Sequence, residues 1–296
     1  MIQNKTLKGV LLVALGASSY GMLATFVKMA YQEGYTTAEV SGSQFSLGLL
    51  GVLLLNIFRK TKKNNDEIKI SKHQIRQLIL AGTSMGFTSV FYYLSVKYVP
   101  VSIAIVLLMQ TVWMGVLLEM FLDKKNPSTQ KIISVVLTLI GTILATNLLQ
   151  SSLAFEWQGF FWGLLAAAAF TGTMFSANRV ASEVSSLQRS LFMLVGGTII
   201  VILFGLITQN TAFDFSIFIK WGIILALFGT IIPPLLLNTG FPLTGIGLGS
   251  IVSALELPVS VTIAYFLLSE EVNLAQWLGI LLIITAIVLM NIRLKK

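Results

Sequence analysis

Apolar residues in this chain form long, nearly unbroken runs, rather than the strict alternation of a half-buried strand or the single stripe of a surface helix. Runs of about 20 residues are long enough to cross roughly 30 Å of hydrocarbon as a helix. The backbone must satisfy its own hydrogen bonds in lipid, and these runs lack alternating polarity, so each is predicted to be a helix and not a barrel strand. Ten spans are predicted, at Leu7–Tyr31, Thr36–Phe58, Ile75–Lys97, Val101–Leu122, Thr129–Leu149, Trp157–Asn178, Ser186–Ile207, Ser216–Asn238, Leu243–Leu268 and Leu274–Ile292.

The first run has a second interpretation. Lys5 and Lys8 precede the apolar stretch Gly9–Ala17, as in a secretory signal peptide. The run continues to about Tyr31 without a cleavage-like site, which favours a first spanning helix.

Composition narrows the class of protein. The chain has 296 residues, of which 55% are hydrophobic and 11% charged, and a mean hydropathy of +0.86; soluble proteins are about a quarter charged. With 0 Cys and 1 His, at His73, disulfides, cysteine nucleophiles and histidine-rich metal sites are excluded. We expect a multi-pass protein of the cell (plasma or inner) membrane with no metal and no cofactor.

Basic residues are distributed unequally between the two sides of the predicted bundle. Of the 20 Lys and Arg, 17 fall on the side of the termini and of the loop after the second span, and the other three are Lys28, Lys97 and Lys220. Because cytoplasmic loops are enriched in Lys and Arg, both termini are predicted to be cytoplasmic. The basic stretch Arg59–Lys72 could also be a lipid-phosphate or nucleic-acid patch, but an ordinary cytoplasmic loop is favoured, and no nucleic-acid partner is expected for the net charge of +8.

The two halves of the chain, residues 1–149 and 150–296, resemble each other. Gly9–Lys28 matches Gly159–Asn178 at an offset of 150, which pairs Tyr20 with Phe170. An offset of 146 pairs Tyr92 with Asn238, Gln110 with Glu256 and Val112 with Pro258. Five helices is an odd number, so the second half enters the membrane in the opposite sense. The predicted fold is an all-α integral membrane protein whose ten transmembrane helices form two inverted five-helix repeats.

Several segments carry a family resemblance. Ala17–Gly21 with Phe26–Lys28 in the first span, Phe91–Pro100, and Leu255–Val259 followed by Leu267–Glu271 and Gln276–Gly279 together resemble the EamA-type transporters of the drug/metabolite transporter superfamily. The resemblance covers nearly the whole chain. It implies a secondary transporter that works by alternating access, an exporter by direction, with helices 1, 3, 4, 6, 8 and 9 lining a central cavity.

The chain departs from the family pattern at three positions. One residue is inserted between Glu256 and Pro258. The first half has Gln110-Thr111-Val112 where the second has its proline, and Gln44-Phe45 replaces the usual arginine near the start of the second span.

Glu256 is the strongest candidate for a functional residue. It lies halfway along the ninth span, and a charge at the bilayer centre costs about 2.5–3.5 kcal/mol on insertion scales. It is interpreted as a cavity carboxylate that binds an amino or cationic group or carries a coupling proton; the alternative is a structural, hydrogen-bonded Glu. Pro258 lacks an amide and favours a kink.

Other charged residues lie near predicted span ends. Lys28 and Glu39 flank the first outer turn, so they are predicted to form an interfacial ion pair, with an outer gate as the alternative. Glu119 and Asp123, one helical turn apart beside Lys124 and Lys125, are predicted to be an edge cluster. Glu270 and Glu271 are expected to begin the tenth helix.

Polar and aromatic residues at mid-helix depth complete the predicted substrate site. Such a cavity suits a small amphipathic solute with an amino group. A substrate carboxylate would need backbone amides at a helix break, near Pro233-Pro234 or around Gly245, Gly247 and Gly249. The predicted substrate-binding residues are Tyr20, Phe91, Tyr92, Gln110, Trp113, Phe170, Met174, Asn238 and Glu256.

Two transport functions remain open at this point. The first is export of amino acids or related metabolites, and the alternative is efflux of lipophilic or quaternary cations, with proton coupling through Glu256. The expected partners are a small-molecule substrate and the lipid bilayer; the sequence leaves dimerisation open. The sequence contains no catalytic motif such as GxSxG or HExxH and no GxxxxGK[ST] loop, so neither an enzyme nor an ATP-driven pump is expected.

Overall fold

The computed structural model describes residues 2–62, 70–99, 101–147, 156–269 and 271–291, and every regular element in these ranges is a helix. The elements in chain order are α1 (Ile2–Gln32), α2 (Thr37–Lys62), α3 (Lys72–Val96), α4 (Val101–Leu108), α5 (Thr111–Asp123), α6 (Thr129–Ala145), α7 (Trp157–Arg179), α8 (Ser186–Thr208), π1 (Phe218–Gly222), α9 (Ile223–Ala226), π2 (Leu227–Ile231), α10 (Ile232–Thr244), α11 (Ile246–Ser253), α12 (Glu256–Leu268) and α13 (Leu274–Asn291). The residues named above that lie outside the described ranges are Pro100, Leu149, Glu270 and Ile292, together with residues 63–69 of the basic stretch Arg59–Lys72.

Eight helical stretches of the described chain are long and apolar enough to cross a membrane. Two shorter apolar helices, Thr129–Ala145 and Leu274–Met290, stand where the fifth and tenth spans are predicted. The protein is therefore an all-helical, multi-pass membrane protein; the count of ten crossings and the side of the termini stay predictions.

Local sequence determines where several helices begin. Ser71 accepts a hydrogen bond from the Gln74 amide, and the Gln74 side chain accepts one from the Ser71 amide, so α3 begins with a capping box. Ser128 and Ser185 cap α6 and α8 through their side-chain oxygens, which accept from the amides of Lys131 and Gln188.

The boundary between the eighth and ninth predicted spans is wrong. The eighth was predicted to end at Asn238 and the ninth to begin at Leu243, but α10 continues to Thr244 and α11 begins at Ile246. The turn falls at Gly245, whose φ of 78° lies in the left-handed region that favours glycine. Pro242, two residues before the end, lies inside α10 without ending it.

Glycines allow the closest contacts between helices. A Cβ on Gly82 of α3 would lie 1.9 Å from the Met193 carbonyl oxygen of α8, and a Cβ on Gly196 of α8 would lie 1.9 Å from that of Ile79. Helices in membranes lack a hydrophobic driving force toward one another and pack instead through small residues.

Element lengths recur 145 residues apart. Helices of 8 and 13 residues, α4 and α5, are separated by two residues, and α11 and α12 repeat both lengths and the gap. The next helices, α6 and α13, begin at Thr129 and Leu274, again 145 apart. In this region the element lengths favour an offset of 145 over 146, and this offset pairs Thr111, not Gln110, with Glu256.

One end of the bundle, where α1 begins, is filled by apolar side chains from α1, α7, α10 and α11. We call it the closed end. Its core cluster consists of Val10, Val13, Phe170, Met174, Ala177, Leu237, Phe241, Ile246, Leu248 and Val252.

Candidate functional site

A cavity of about 510 Å³ extends from the middle of the bundle toward the end where α1 finishes. It begins at Tyr20 and reaches the exposed side chains of Lys28 and Glu271, so it is open on the side opposite the closed end. Its lining is mainly apolar, and its aromatic members are Tyr20, Tyr31, Phe45, Tyr92, Tyr93 and Phe170. A pocket of this size and composition is typical of small-molecule binding sites.

The break between α11 and α12 puts Glu256 in the cavity wall. Pro258 has no amide to donate to the Ala254 carbonyl, which accepts instead from the Leu257 amide at 3.2 Å. The tightened turn ends α11 at Ser253, and Glu256 becomes the first residue of α12. There the carboxylate lies at the positive end of the helix dipole.

Glu256 is half-buried and lines the cavity. Among the described residues its carboxylate has no ion-pair partner and no hydrogen bond. The charged residues in the described lining are Lys28, Glu256 and Glu271. An acidic group without a partner, in an apolar cavity, attracts a cation or a hydrogen-bond donor.

Aromatic residues surround Glu256 on the side of the closed end. The rings of Tyr20 and Phe170 meet edge to face with centroids 6.3 Å apart, and both pack on the core cluster of the closed end. Both residues line the cavity, as does Tyr92. The structure therefore brings four of the nine predicted substrate-binding residues together: Tyr20, Tyr92, Phe170 and Glu256.

The other five predicted substrate-binding residues do not line this cavity. Phe91 stacks between Phe87 and Trp162, with centroid distances of 5.4 and 5.5 Å. Gln110 accepts a hydrogen bond from the Trp113 indole at 2.9 Å and donates to the Val106 carbonyl. Gln110 and Trp113 are therefore bonded to each other, and Gln110 to the main chain, at the break between α4 and α5.

Met174 and Asn238 are buried near the closed end. Met174 belongs to its core cluster and contacts the Thr111 hydroxyl through sulfur at 3.7 Å. Asn238 donates to the Ser190 hydroxyl at 2.9 Å, and its main-chain oxygen accepts from Arg189. Both hold helices together and do not face the cavity.

Glu39 does not pair with Lys28. Its carboxylate accepts hydrogen bonds from the amides of Thr36 and Asp214, at 2.7 and 2.8 Å, and from the side chain of Gln209. The Thr36 hydroxyl in turn accepts from the Glu39 amide, so the two residues form a capping box, a signal present in the sequence and missed. Outside the spans, the side-chain and backbone hydrogen bonds from Ser216 lower the pKa of Asp214.

Glu119 and Asp123 form ion pairs, but not with the neighbouring Lys124 and Lys125. Glu119 pairs with Lys131 of α6, and Asp123 pairs with Arg179 at the end of α7. The Glu119 carboxylate lies against the start of α11, where a Cβ on Gly247 would be 2.4 Å from it. The start of α11 therefore lies beside a carboxylate of the protein itself, and Gly245, Gly247 and Gly249 are not in the lining of the cavity.

Arg189 is a buried basic residue that the sequence did not mark. Its side chain is 1% exposed, and it donates to the carbonyl oxygens of Ser176, Ala177, Val180 and Asn238. It thus joins the end of α7 to α8 and α10. Burial lowers the hydration of the guanidinium, and the four carbonyl oxygens replace the lost water.

The fold and the cavity together define a helical membrane protein with a central pocket for a small solute. The EamA-like transporter family model matches the chain twice, over residues 7–147 and 157–292. The chain belongs to this family of membrane transporters within the drug/metabolite superfamily, and it is a multi-pass protein of the cell membrane.

Solved structures support the fold alone. A crystal structure of a protein 13% identical to this chain superposes with a TM-score of 0.77, over 97% of this chain and 96% of the other. No curated protein matches the chain.

Proposed function

We propose that this protein is a secondary transporter that exports small amphipathic amines or cations by alternating access. The single observation that carries the choice of substrate is the Glu256 carboxylate, which faces the cavity without a partner among the described residues. Aromatic rings beside it favour a cation further, since a cation is attracted to the face of an aromatic ring.

Alternating access is supported by the internal repeat. The family model matches each half of the chain, and helix lengths recur at an offset of 145 from α4 onward. Tyr20 and Phe170, which correspond at an offset of 150, contact each other at the base of the cavity. Two inverted repeats that meet at a midplane site can exchange which end is closed. With the termini cytoplasmic, the present state is open to the outside.

Export of amino acids is the second candidate, because the basic residue Lys28 lies at the rim of the cavity. Glu256 contacts α1 at Gly21, seven residues before Lys28. Seven residues of helix rise about 10 Å, much more than the separation of the two charged groups in an α-amino acid. This separation along α1 disfavours a single amino acid held by both residues, and an amphipathic cation is favoured because it needs only the Glu256 carboxylate.

The experiment is ligand binding to purified protein in detergent, measured by calorimetry with tetraphenylphosphonium, phenethylamine and a neutral amino acid such as leucine. We expect the two cations to bind wild type, and to bind more weakly as the pH falls, because protonation removes the Glu256 charge. Glu256→Gln should abolish cation binding. Ligand at 100 times its dissociation constant should also stabilise the protein by about 2.7 kcal/mol.

Glu271→Gln is the matched control, since Glu271 is the other carboxylate of the described lining but lies at the exposed rim. It should leave cation binding within about twofold of wild type. Leucine binding that survives Glu256→Gln, with no cation binding to wild type, would support amino-acid export and contradict the proposal.

A further inference from the structure

The main chain of Gly229 forms part of the cavity wall. Gly229 lines the cavity, and because glycine has no side chain, only its backbone atoms can do so. It lies in π2, directly before the sequence Ile232-Pro233-Pro234. π-Helical segments inside helices occur frequently at functional sites.

The two prolines remove the donors that the Gly229 carbonyl would otherwise have. In an α-helix this oxygen accepts from the amide at position 233, and in a π-helix from that at 234; both positions are proline and have no amide. The amide of Ile232 donates to the Leu227 carbonyl. The neighbouring Phe228 carbonyl is satisfied by the Ser19 hydroxyl at 2.9 Å, so the Gly229 oxygen is the acceptor without a donor among the described residues.

The side chain of Gln44 lies directly against Gly229. A Cβ on Gly229 would be 2.4 Å from Gln44 Nε2 and 2.8 Å from Gln44 Cδ, so only glycine permits this approach. Gln44 is 6% exposed and lines the cavity. Its amide forms no hydrogen bond with another described residue, although its main-chain oxygen accepts from Thr230. A buried amide without partners is costly unless a ligand or water satisfies it.

Gln44 and the Gly229 carbonyl, which we call the polar pair, are separated from Glu256 by the width of α1. Gly229 contacts Leu23 of α1, whereas Glu256 contacts Gly21. Residues two apart on a helix point to nearly opposite sides and differ by about 3 Å in height, and a helix is about 10 Å across. The polar pair and the start of α12, which carries Glu256, thus contact α1 at similar depth on opposite flanks, and both line the same cavity.

We infer that Gln44 and the Gly229 carbonyl form a second, uncharged subsite that binds a hydroxyl or amide N–H group of the transported amine. The inference rests on the proposed function and deepens it: the substrate carries its cationic group at one end, for Glu256, and a neutral hydrogen-bond donor at the other. The Gly229 carbonyl disfavours a carboxylate at this subsite, because the group exposed by Pro233-Pro234 is an acceptor and not an amide donor.

The test compares two probes that differ by one hydroxyl, phenethylamine and tyramine, by calorimetry on the full chain in detergent. One hydrogen bond is worth about 0.5–1.5 kcal/mol, which corresponds to roughly two- to tenfold in affinity. Wild type should therefore bind tyramine about two- to tenfold more tightly than phenethylamine.

Two variants should remove this preference and leave phenethylamine binding unchanged. Gln44→Leu removes the amide, and Pro233→Ala returns an amide that can occupy the Gly229 oxygen. The controls are Thr88→Val, since the Thr88 hydroxyl lines the cavity but already donates to Ser84, and Pro242→Ala, which lies in the same helix outside the cavity. Both controls should keep the preference, and phenethylamine binding reports that each variant is folded.

Failure of the second subsite and failure of the proposed function would give different results. Equal binding of the two amines by wild type, with dependence on Glu256, overturns the subsite and leaves the proposed function standing. Equal weakening of both amines by Gln44→Leu means that Gln44 only shapes the wall. If replacing NaCl by KCl abolishes the preference for tyramine, the oxygens of Gln44 and Gly229 bind a sodium ion and not the substrate, and this also overturns the inference. If neither amine binds wild type, the proposed function fails as well.

Discussion

The contact between Gly21 and Glu256 gives the sharpest prediction of how a small change should alter both stability and binding. A Cβ at position 21 would lie 2.4 Å from the Glu256 carbonyl oxygen, 2.9 Å from Val259 Cβ and 3.0 Å from the Ser260 amide nitrogen. Carbon–oxygen contacts normally begin near 3.3 Å, so Gly21→Ala must move α12 away from α1 by about 1 Å. Two of the three obstructing atoms are backbone, and a rotamer change cannot relieve them.

The expected cost follows from this overlap. Overpacking by one methyl group costs about 1–3 kcal/mol, partly offset by the helix preference of Ala over Gly of about 0.5–1 kcal/mol. We expect Gly21→Ala to lower the melting temperature in detergent by a few degrees, at about 2–4 °C for each kcal/mol. Because α12 carries Glu256 as its first residue, cation affinity should fall as well.

Gly42→Ala is the matched control. The nearest atom to a Cβ at Gly42 is Phe213 Cε2, at 3.8 Å, so the added methyl group fits without displacement. This variant should be as stable as wild type or slightly more stable, with unchanged cation binding. If Gly21→Ala melts and binds as Gly42→Ala does, the close contact between α1 and α12 does not position Glu256.

Three further predictions concern contacts outside the cavity lining. Arg189→Met removes the guanidinium donor from four carbonyl oxygens, of which Ser176 keeps the Val180 amide. The variant should destabilise the protein by about 3 kcal/mol or more, seen as a large drop in melting temperature that Arg189→Lys only partly recovers. A drop under one degree would contradict this role. Thr36→Ala removes one half of the capping box with Glu39 and should cost about 1 kcal/mol, measured by the same melt, whereas an unchanged melt would show that the cap contributes nothing. Lys131→Met removes the partner of Glu119 at the closed end, so a reagent added from the side of the closed end should label the cavity faster than in wild type. A double variant that exchanges the charges of Glu119 and Lys131 should restore the wild-type labelling rate. If the rate does not recover, the pair does not hold this end shut.

Much of the site was visible in the sequence because its signals are local or energetic. Glu256 stood out because a carboxylate in the middle of an apolar run is costly, and Pro258 beside it marked the break. Tyr20 and Phe170 were found through the internal match of the halves. Phe91 and Trp113 were predicted from depth alone, and depth does not say which side of a helix faces the cavity.

Other features depended on contacts between distant segments. Lys28 and Glu39 are close in sequence, but Glu39 is bound by Gln209 and Asp214, which lie on a loop about 170 residues further along. Gln44 was noted only as a departure from the family pattern. Its place in the wall depends on Gly229, and no periodicity within α2 could show that neighbour.

The sequence by itself determined the class of protein, because long apolar runs with few charges can be accommodated only as helices in a membrane. It also indicated the resemblance of the two halves and, through that and the motifs, the family. Only the tertiary structure decided which polar groups lack partners, since satisfaction of a carbonyl or an amide depends on atoms from other helices. The Glu256 carboxylate and the Gly229 oxygen have no partner within the part of the chain that the structure describes, and this is for the same reason a property of the packed bundle.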